Sequence, residues 1–164
     1  MASELDAYHD ALVDLFRDHF GDSLETVQAY LPDMQSTDPA SGLTINTPAL
    51  LVEIEKTSQG QNLGDGRTAV ECHLAIHCIL GVATPSLQRA LRNFGVEVQR
   101  LLTADGYCLG SVVKAGQPED LTGMPGWWQK GGAGGYDSWV VTFDQTLWIG
   151  ASVWDVPKLL GESL

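Results

Sequence analysis

Positive charge is what this chain has least of. Nine Lys and Arg stand against 21 Asp and Glu in 164 residues, a formal net charge of −12 with no basic cluster. Tight nucleic-acid binding needs Lys and Arg to neutralise phosphates, so the charge argues against that class of function. DNA passing nearby is not excluded, because an acidic surface repels DNA and does not hold it. Long apolar runs are missing too: none approaches the ~18 residues of a membrane-spanning helix. The acidic opening Met-Ala-Ser-Glu-Leu-Asp has no basic region followed by an apolar core, so no secretory signal is expected, and the chain is expected to work where it is made. Cysteine is scarce, with only Cys72, Cys78 and Cys108 and no CxxC pair. This pattern predicts buried free thiols in a reducing compartment.

Catalytic signatures are also lacking. There is no Gly-x-Ser-x-Gly elbow, and His9 and His19 fall on an acidic helix without an assignable partner. Gly131–Gly135 has neither the spacing nor the Lys-Ser/Thr ending of a phosphate-binding loop, and it precedes a strand rather than a helix. It reads as a mobile loop. His73 and His77 with Cys72 and Cys78 look like a metal cluster until placed on a strand. Four residues there span about 13 Å, and the cysteines face opposite the histidines. One ion would need every ligand within about 2.3 Å. The sequence therefore predicts no catalytic residues, no metal and no cofactor.

What is present is hydrophobic periodicity. Tyr136 to Gly150 alternates, with Trp139, Val141, Phe143, Leu147 and Ile149 on one face and Ser138, Thr142, Asp144 and Thr146 on the other. This is a long strand with one buried side, expected to organise the sheet. Leu5 to Phe20 repeats at helical spacing, with Ser3 as N-cap, Asp6 three residues on and Gly21 as the stop. Leu24 to Leu31 predicts a short strand ending at Pro32, and Asp33 to Thr47 a polar loop. Ala49 to Thr57 and Thr68 to Val82 predict two antiparallel strands joined by the polar Ser58–Arg67 connection. Thr84 as N-cap and Pro85 at the first position announce a second helix, buried through Leu87, Leu91, Phe94, Val98, Leu101 and Leu102 and ended at Asp105-Gly106. Tyr107 to Ala115 is weakly strand-like, and Gly116 to Gly135 reads as irregular. The expected architecture is α+β: a two-layer, mostly antiparallel sheet with two amphipathic helices on one face. One domain is expected over residues 1–164, with 151–164 as an extended arm carrying a short helical turn near Lys158 to Leu160.

Trp127, Trp128 and Trp154 fall outside the regular elements, and Trp148 falls on the strand face opposite Trp139. Tryptophan is enriched at interaction hot spots. Either these rings fold back on their own sheet or they meet a partner.

The segment Ser138 to Gly150, followed by Ser152-Val153-Trp154-Asp155, resembles the C-terminal strand and exit of tail-terminator (tail-completion) proteins of tailed bacteriophages and prophages. The element order is similar as well, including the Pro-Ala-Leu-Leu-Val strand at Pro48 to Val52. The Gly/Trp-rich segment from Gly123 to Gly135 has no counterpart in that pattern. The resemblance implies a structural, non-enzymatic virion protein at the head–tail junction, assembled in the host cytoplasm. It would form a homo-hexameric ring that caps the tail tube protein, ends its polymerisation and meets the head–tail connector. DNA would pass through the lumen without specific binding and without contact with a membrane. Interface residues are then expected in the loops and tail: Gln59, Asn62, Asp65, Arg67, Trp127, Trp128, Trp148 and Trp154. Two alternatives stay open, a head–tail connector or neck protein and a small-molecule-binding α+β domain.

Overall fold

A computed structural model describes residues 3–31, 45–105 and 112–150. The first helix, α1 (Glu4–Phe20), starts where its caps place it. Ser3 Oγ accepts the Asp6 N–H at 3.0 Å, and Asp6 returns the contact to the Ser3 N–H. Gly21, at φ +54°, closes the helix by donating its N–H to the Arg17 carbonyl. Tyr8, Leu12 and Phe16 are fully buried, as the spacing predicts.

The strands are β1 (Thr26–Tyr30), β2 (Ala49–Gln59), β3 (Thr68–Gly81), β4 (Lys114–Ala115), β5 (Glu119–Pro125) and β6 (Tyr136–Ile149). They form one curled mixed sheet in the order β1-β2-β3-β6-β4, with β5 also paired to β6. Among the described residues only β1–β2 is parallel. β6 pairs along its whole length with β3 and carries β4 and β5 on its other edge, so it is the organising strand. The helices lie on one face, α1 over β1 and β2, and α2 (Leu87–Asp105) over β3, β5 and β6. The main core fills the space between the layers, where Leu50, Val52, Cys72, Leu74, Ile76, Cys78, Val141, Phe143 and Leu147 meet both helices.

Three local expectations are corrected. α2 begins at Leu87, not at Pro85. Thr84 N–H closes a turn onto the Gly81 carbonyl, which uses Pro85 in the exit from β3. The Ser86 carbonyl (φ +51°) then accepts the Ala90 N–H. Part of Gly116 to Gly135 is ordered: Glu119 to Pro125 forms the edge strand β5. Its Gly123 and Pro125 hide it from a reading of propensity, but an edge strand tolerates proline. Finally, β2 runs on to Gln59, so the hairpin loop is shorter than predicted. Gly131 to Gly135 makes the turn between Lys130 and Tyr136, which bridge each other. The predicted arm at 151–164, the strand residues 107–111 and Cys108 lie outside the described residues.

Two glycines fix how closely α2 sits on the sheet. A Cβ on Gly95 would lie 2.3 Å from Trp139 Cδ1, and one on Gly123 would lie 2.8 Å from Trp139 Nε1. The indole of Trp139 is therefore held between the middle of α2 and β5. Gly95 interrupts the apolar stripe because the ring occupies its side-chain space.

Candidate functional site: the sheet face away from the helices

Strand alternation sends Cys72, Leu74, Ile76 and Cys78 into the helix-side core and Glu71, His73, Ala75 and His77 to the far face. The cysteines and histidines thus face apart, and no single ion can gather them. Both thiols are free and buried. Burial, with Glu71 nearby, pushes Cys72 up to about 11, and burial alone raises Cys78 further.

The β2–β3–β6–β5 registers lay out the far face in rows: Leu51–His77–Val140–Met124, then Glu53–Ala75–Thr142–Thr122, then Lys56–His73–Asp144–Glu119. Ser58 and Thr146 flank Glu71 one row further on.

At the first row the face is aromatic. His77 is fully buried, its Nε2 lies 2.7 Å from Glu53 Oε2, and its Nδ1 has no partner. Trp127 stacks edge-on to it at 4.7 Å, and Trp128 packs against both His77 and Tyr30. Burial lowers the His77 pKa from its ordinary value, opposed by the bond to Glu53. Tyr30, Ala49, Leu51 and Ile79 form a small second core here with Trp128 against it. Trp127 remains 55% exposed and Met124 44%, which leaves an apolar patch on an otherwise polar face.

Two rows along, roughly 13 Å away, the face becomes an acid-rich basin of about 590 Å³. His73 Nδ1 lies 2.5 Å from Asp144 Oδ1, and Nε2 lies 3.1 Å from Ser58 Oγ. Glu71 completes a group whose ligand-type atoms all fall within 4.8 Å of one another with His73 and Asp144. Glu55 and Asp120 line the same basin. Its two flanks are both irregular: β2 bulges between Ile54 and Lys56, and β5 between Glu119 and Thr122, where Asp120 has φ +56°. Such bulges re-aim side chains next to sites. The Glu55 carboxyl is pushed up by burial, then by the Glu53 and Asp144 charges, against His73 and Lys56.

The order Ser58–His73–Asp144 is that of a nucleophile, base and orienting acid. Hydrolases add donors that stabilise an oxyanion. Here the neighbours of His73 are the Glu71 and Glu55 carboxylates, which repel an oxyanion and attract a cation. None of these roles was legible in the sequence, which places Glu71 and His73 on one strand face but cannot tell that Asp144 lies directly opposite.

The predicted interface residues separate into two groups at opposite ends of β3. Gln59 and Asn62 are exposed, and Asn62 Oδ1 accepts the Ala69 N–H at 3.4 Å. Asp65 accepts the Arg67 N–H at 3.0 Å and lies 3.7 Å from its guanidinium. Trp148 joins them, because its indole N–H donates to the Gln61 carbonyl at 3.0 Å and braces the hairpin loop. Trp127 and Trp128 sit at the other end. Trp154 lies outside the described residues. The two histidines of α1, without assignable partners in the sequence, acquire them by folding. His9 Nε2 lies 2.7 Å from the Val52 carbonyl and His19 Nε2 lies 2.9 Å from Glu97.

Fold and site together define a two-layer α+β protein with an aromatic patch and an acid-rich basin on its open sheet face. No protein-family model and no curated protein matches the sequence.

Proposed function

We propose that this chain is a structural subunit of a phage tail terminator. It forms a closed ring that caps the tail tube, ends tube polymerisation and provides the joint to the head connector, in the virion at the head–tail junction. One observation carries the reading beyond its sequence resemblance: the two broad faces of the subunit are unlike and complementary. On α2, Arg89, Arg92, Val96 and Arg100 are all exposed and form one outward ridge, opposite the buried Leu91–Gly95–Val98–Leu102 stripe. Arg89 and Arg92 have no ion-pair partner among the described residues. The far sheet face offers the counterpart: exposed Trp127 and Met124, Glu53 held to the His77 that Trp127 covers, and the exposed Glu55 further along β2. Contact between unlike surfaces is heterologous and makes a ring when its rotation closes, and arginine stacks well on tryptophan. The hairpin loop bearing Asn62, Asp65 and Arg67 is then free to meet the tube or the connector. A DNA-repelling acidic lumen suits passage without binding.

Purified protein, alone and with tail tubes, is to be weighed by native mass measurement and imaged by electron microscopy. A hexameric ring on tube ends is expected, and the Arg89→Glu/Arg92→Glu variant should fold normally but fail to close it. A protein that stays monomeric, never caps tubes and leaves tail length unaltered would defeat the proposal.

A further inference from the structure

We propose that Glu71, His73 and Asp144 form a binding site for a divalent transition ion of the Zn²⁺ or Mn²⁺ class on the far sheet face. Three independent elements of geometry converge there. Glu71 and His73 are two apart on β3 and so share a face, and Asp144 is the direct cross-strand partner of His73 on β6. Their candidate ligand atoms lie within 4.8 Å of one another. An ion with bonds of about 2.1 Å spans at most about 4.2 Å between opposite ligands, so small side-chain rotations close the set. The group is only partly exposed, with His73 and Asp144 side chains at 22% and 25%. It opens into a basin with room for water or a further ligand.

The charge balance favours a cation. Glu71 and Asp144 contribute two negative charges beside an imidazole, and Glu55 adds a third at the edge of the basin. Among the described basic side chains only Lys56 lines the basin, and it is exposed. One imidazole with two carboxylates is a mixed nitrogen–oxygen donor set. It suits Zn²⁺ or Mn²⁺ better than Mg²⁺ or Ca²⁺, which take oxygen ligands. Ser58, 3.1 Å from His73 Nε2, and Thr142 supply hydroxyls beside the set. With ligands from β3 and β6, a bound ion would tie these two strands together beside the bulge in β2.

The three ligands lie apart from the aromatic patch, and none of them belongs to the proposed ring contact; Glu55 alone borders both. Chelator-stripped protein is to be titrated with ZnCl₂ and with MnCl₂ by calorimetry, with oligomeric mass recorded on the same samples. One ion per chain is expected. Glu71→Gln and His73→Ala should each weaken binding by about tenfold or more, with the fold checked by circular dichroism, while Asp10→Asn on the exposed face of α1 should leave binding unchanged. The proposal is overturned by no binding of either ion at millimolar concentration. It is equally overturned by undiminished binding in a Glu71→Gln/Asp144→Asn variant, or by preference for CaCl₂ or MgCl₂. A monomer that binds the ion would refute the ring alone, and a ring that does not would refute the site alone.

Discussion

Gly95 shows how one residue can control the distance between two layers. Alanine is a better helix former than glycine by about 1 kcal/mol, so on propensity alone Gly95→Ala should stabilise α2. The added Cβ, however, would stand 2.3 Å from the Trp139 ring, which is itself braced by Gly123. Overpacking of this kind costs about 1–3 kcal/mol. The variant should be less stable in a urea titration, and Gly95→Ala combined with Trp139→Leu should recover part of the loss. His77 supplies a second test. Burial holds its folded pKa below the unfolded value, so the unfolded chain binds the proton more readily. The stability associated with neutral His77 is present above about pH 6.5 and is lost as pH falls through that value toward the lower folded pKa. Thermal melts between pH 7.5 and 5 should show the decline, with a shallower slope in His77→Gln.

At the scale of elements, the long hairpin of β2 and β3 is anchored by a side chain from another strand. Trp148 on β6 stands across from Ala69 and donates its indole N–H to Gln61 in the loop. A neutral hydrogen bond of this sort contributes about 0.5–1.5 kcal/mol. Its removal in Trp148→Phe should act locally, with faster amide hydrogen exchange over residues 60–67 and little change in the global unfolding midpoint. α1 is anchored through a buried polar relay as well as through its apolar stripe. Tyr8 donates to Gln145 Oε1 at 2.5 Å, and Gln145 donates in turn to the Gly116 carbonyl at 2.8 Å. Burial raises the Tyr8 pKa well above its ordinary value, with Cys72 adding to the effect, so the hydroxyl stays a donor at neutral pH. The sequence reading of β6 as an alternating apolar strand passed over Gln145, because a polar side chain at that position only makes sense once Tyr8 is placed above it.

For the whole molecule, a net charge of −12 makes like copies repel. In the proposed ring this repulsion is offset by the local contact between the α2 arginines and the carboxylates of the far face. Salt has opposite effects on these two terms. Long-range repulsion is screened first as salt is added, the Debye length shrinking from about 30 Å at 0.01 M to about 10 Å at 0.1 M; at 1 M it is about 3 Å, and exposed arginine–carboxylate contacts weaken as well. The proposed ring should therefore be most stable at intermediate ionic strength, with a hexamer fraction that rises and then falls between 20 mM and 1 M NaCl when followed by light scattering. A steady rise with salt would instead mark apolar contacts around Trp127 as dominant.

The amino-acid sequence by itself determined the regular elements with strong periodicity. α1 is specified by Ser3, Gly21 and a 3.6-residue stripe, and β3 and β6 by alternation long enough to leave no other period. Alternation also placed the histidines opposite the cysteines without any coordinates. The tertiary structure decided whatever depends on register and on neighbours distant in the chain. β5 exists because β6 offers it an edge, though its own residues argue for a loop. Trp128 and Trp148 are engaged within the subunit because the sheet brings Tyr30, His77 and Gln61 to them. The acid-rich basin arises because His73 faces Asp144, 71 residues away. Local periodicity reports which side of an element is buried; only the pairing of strands reports which polar groups meet on the other side.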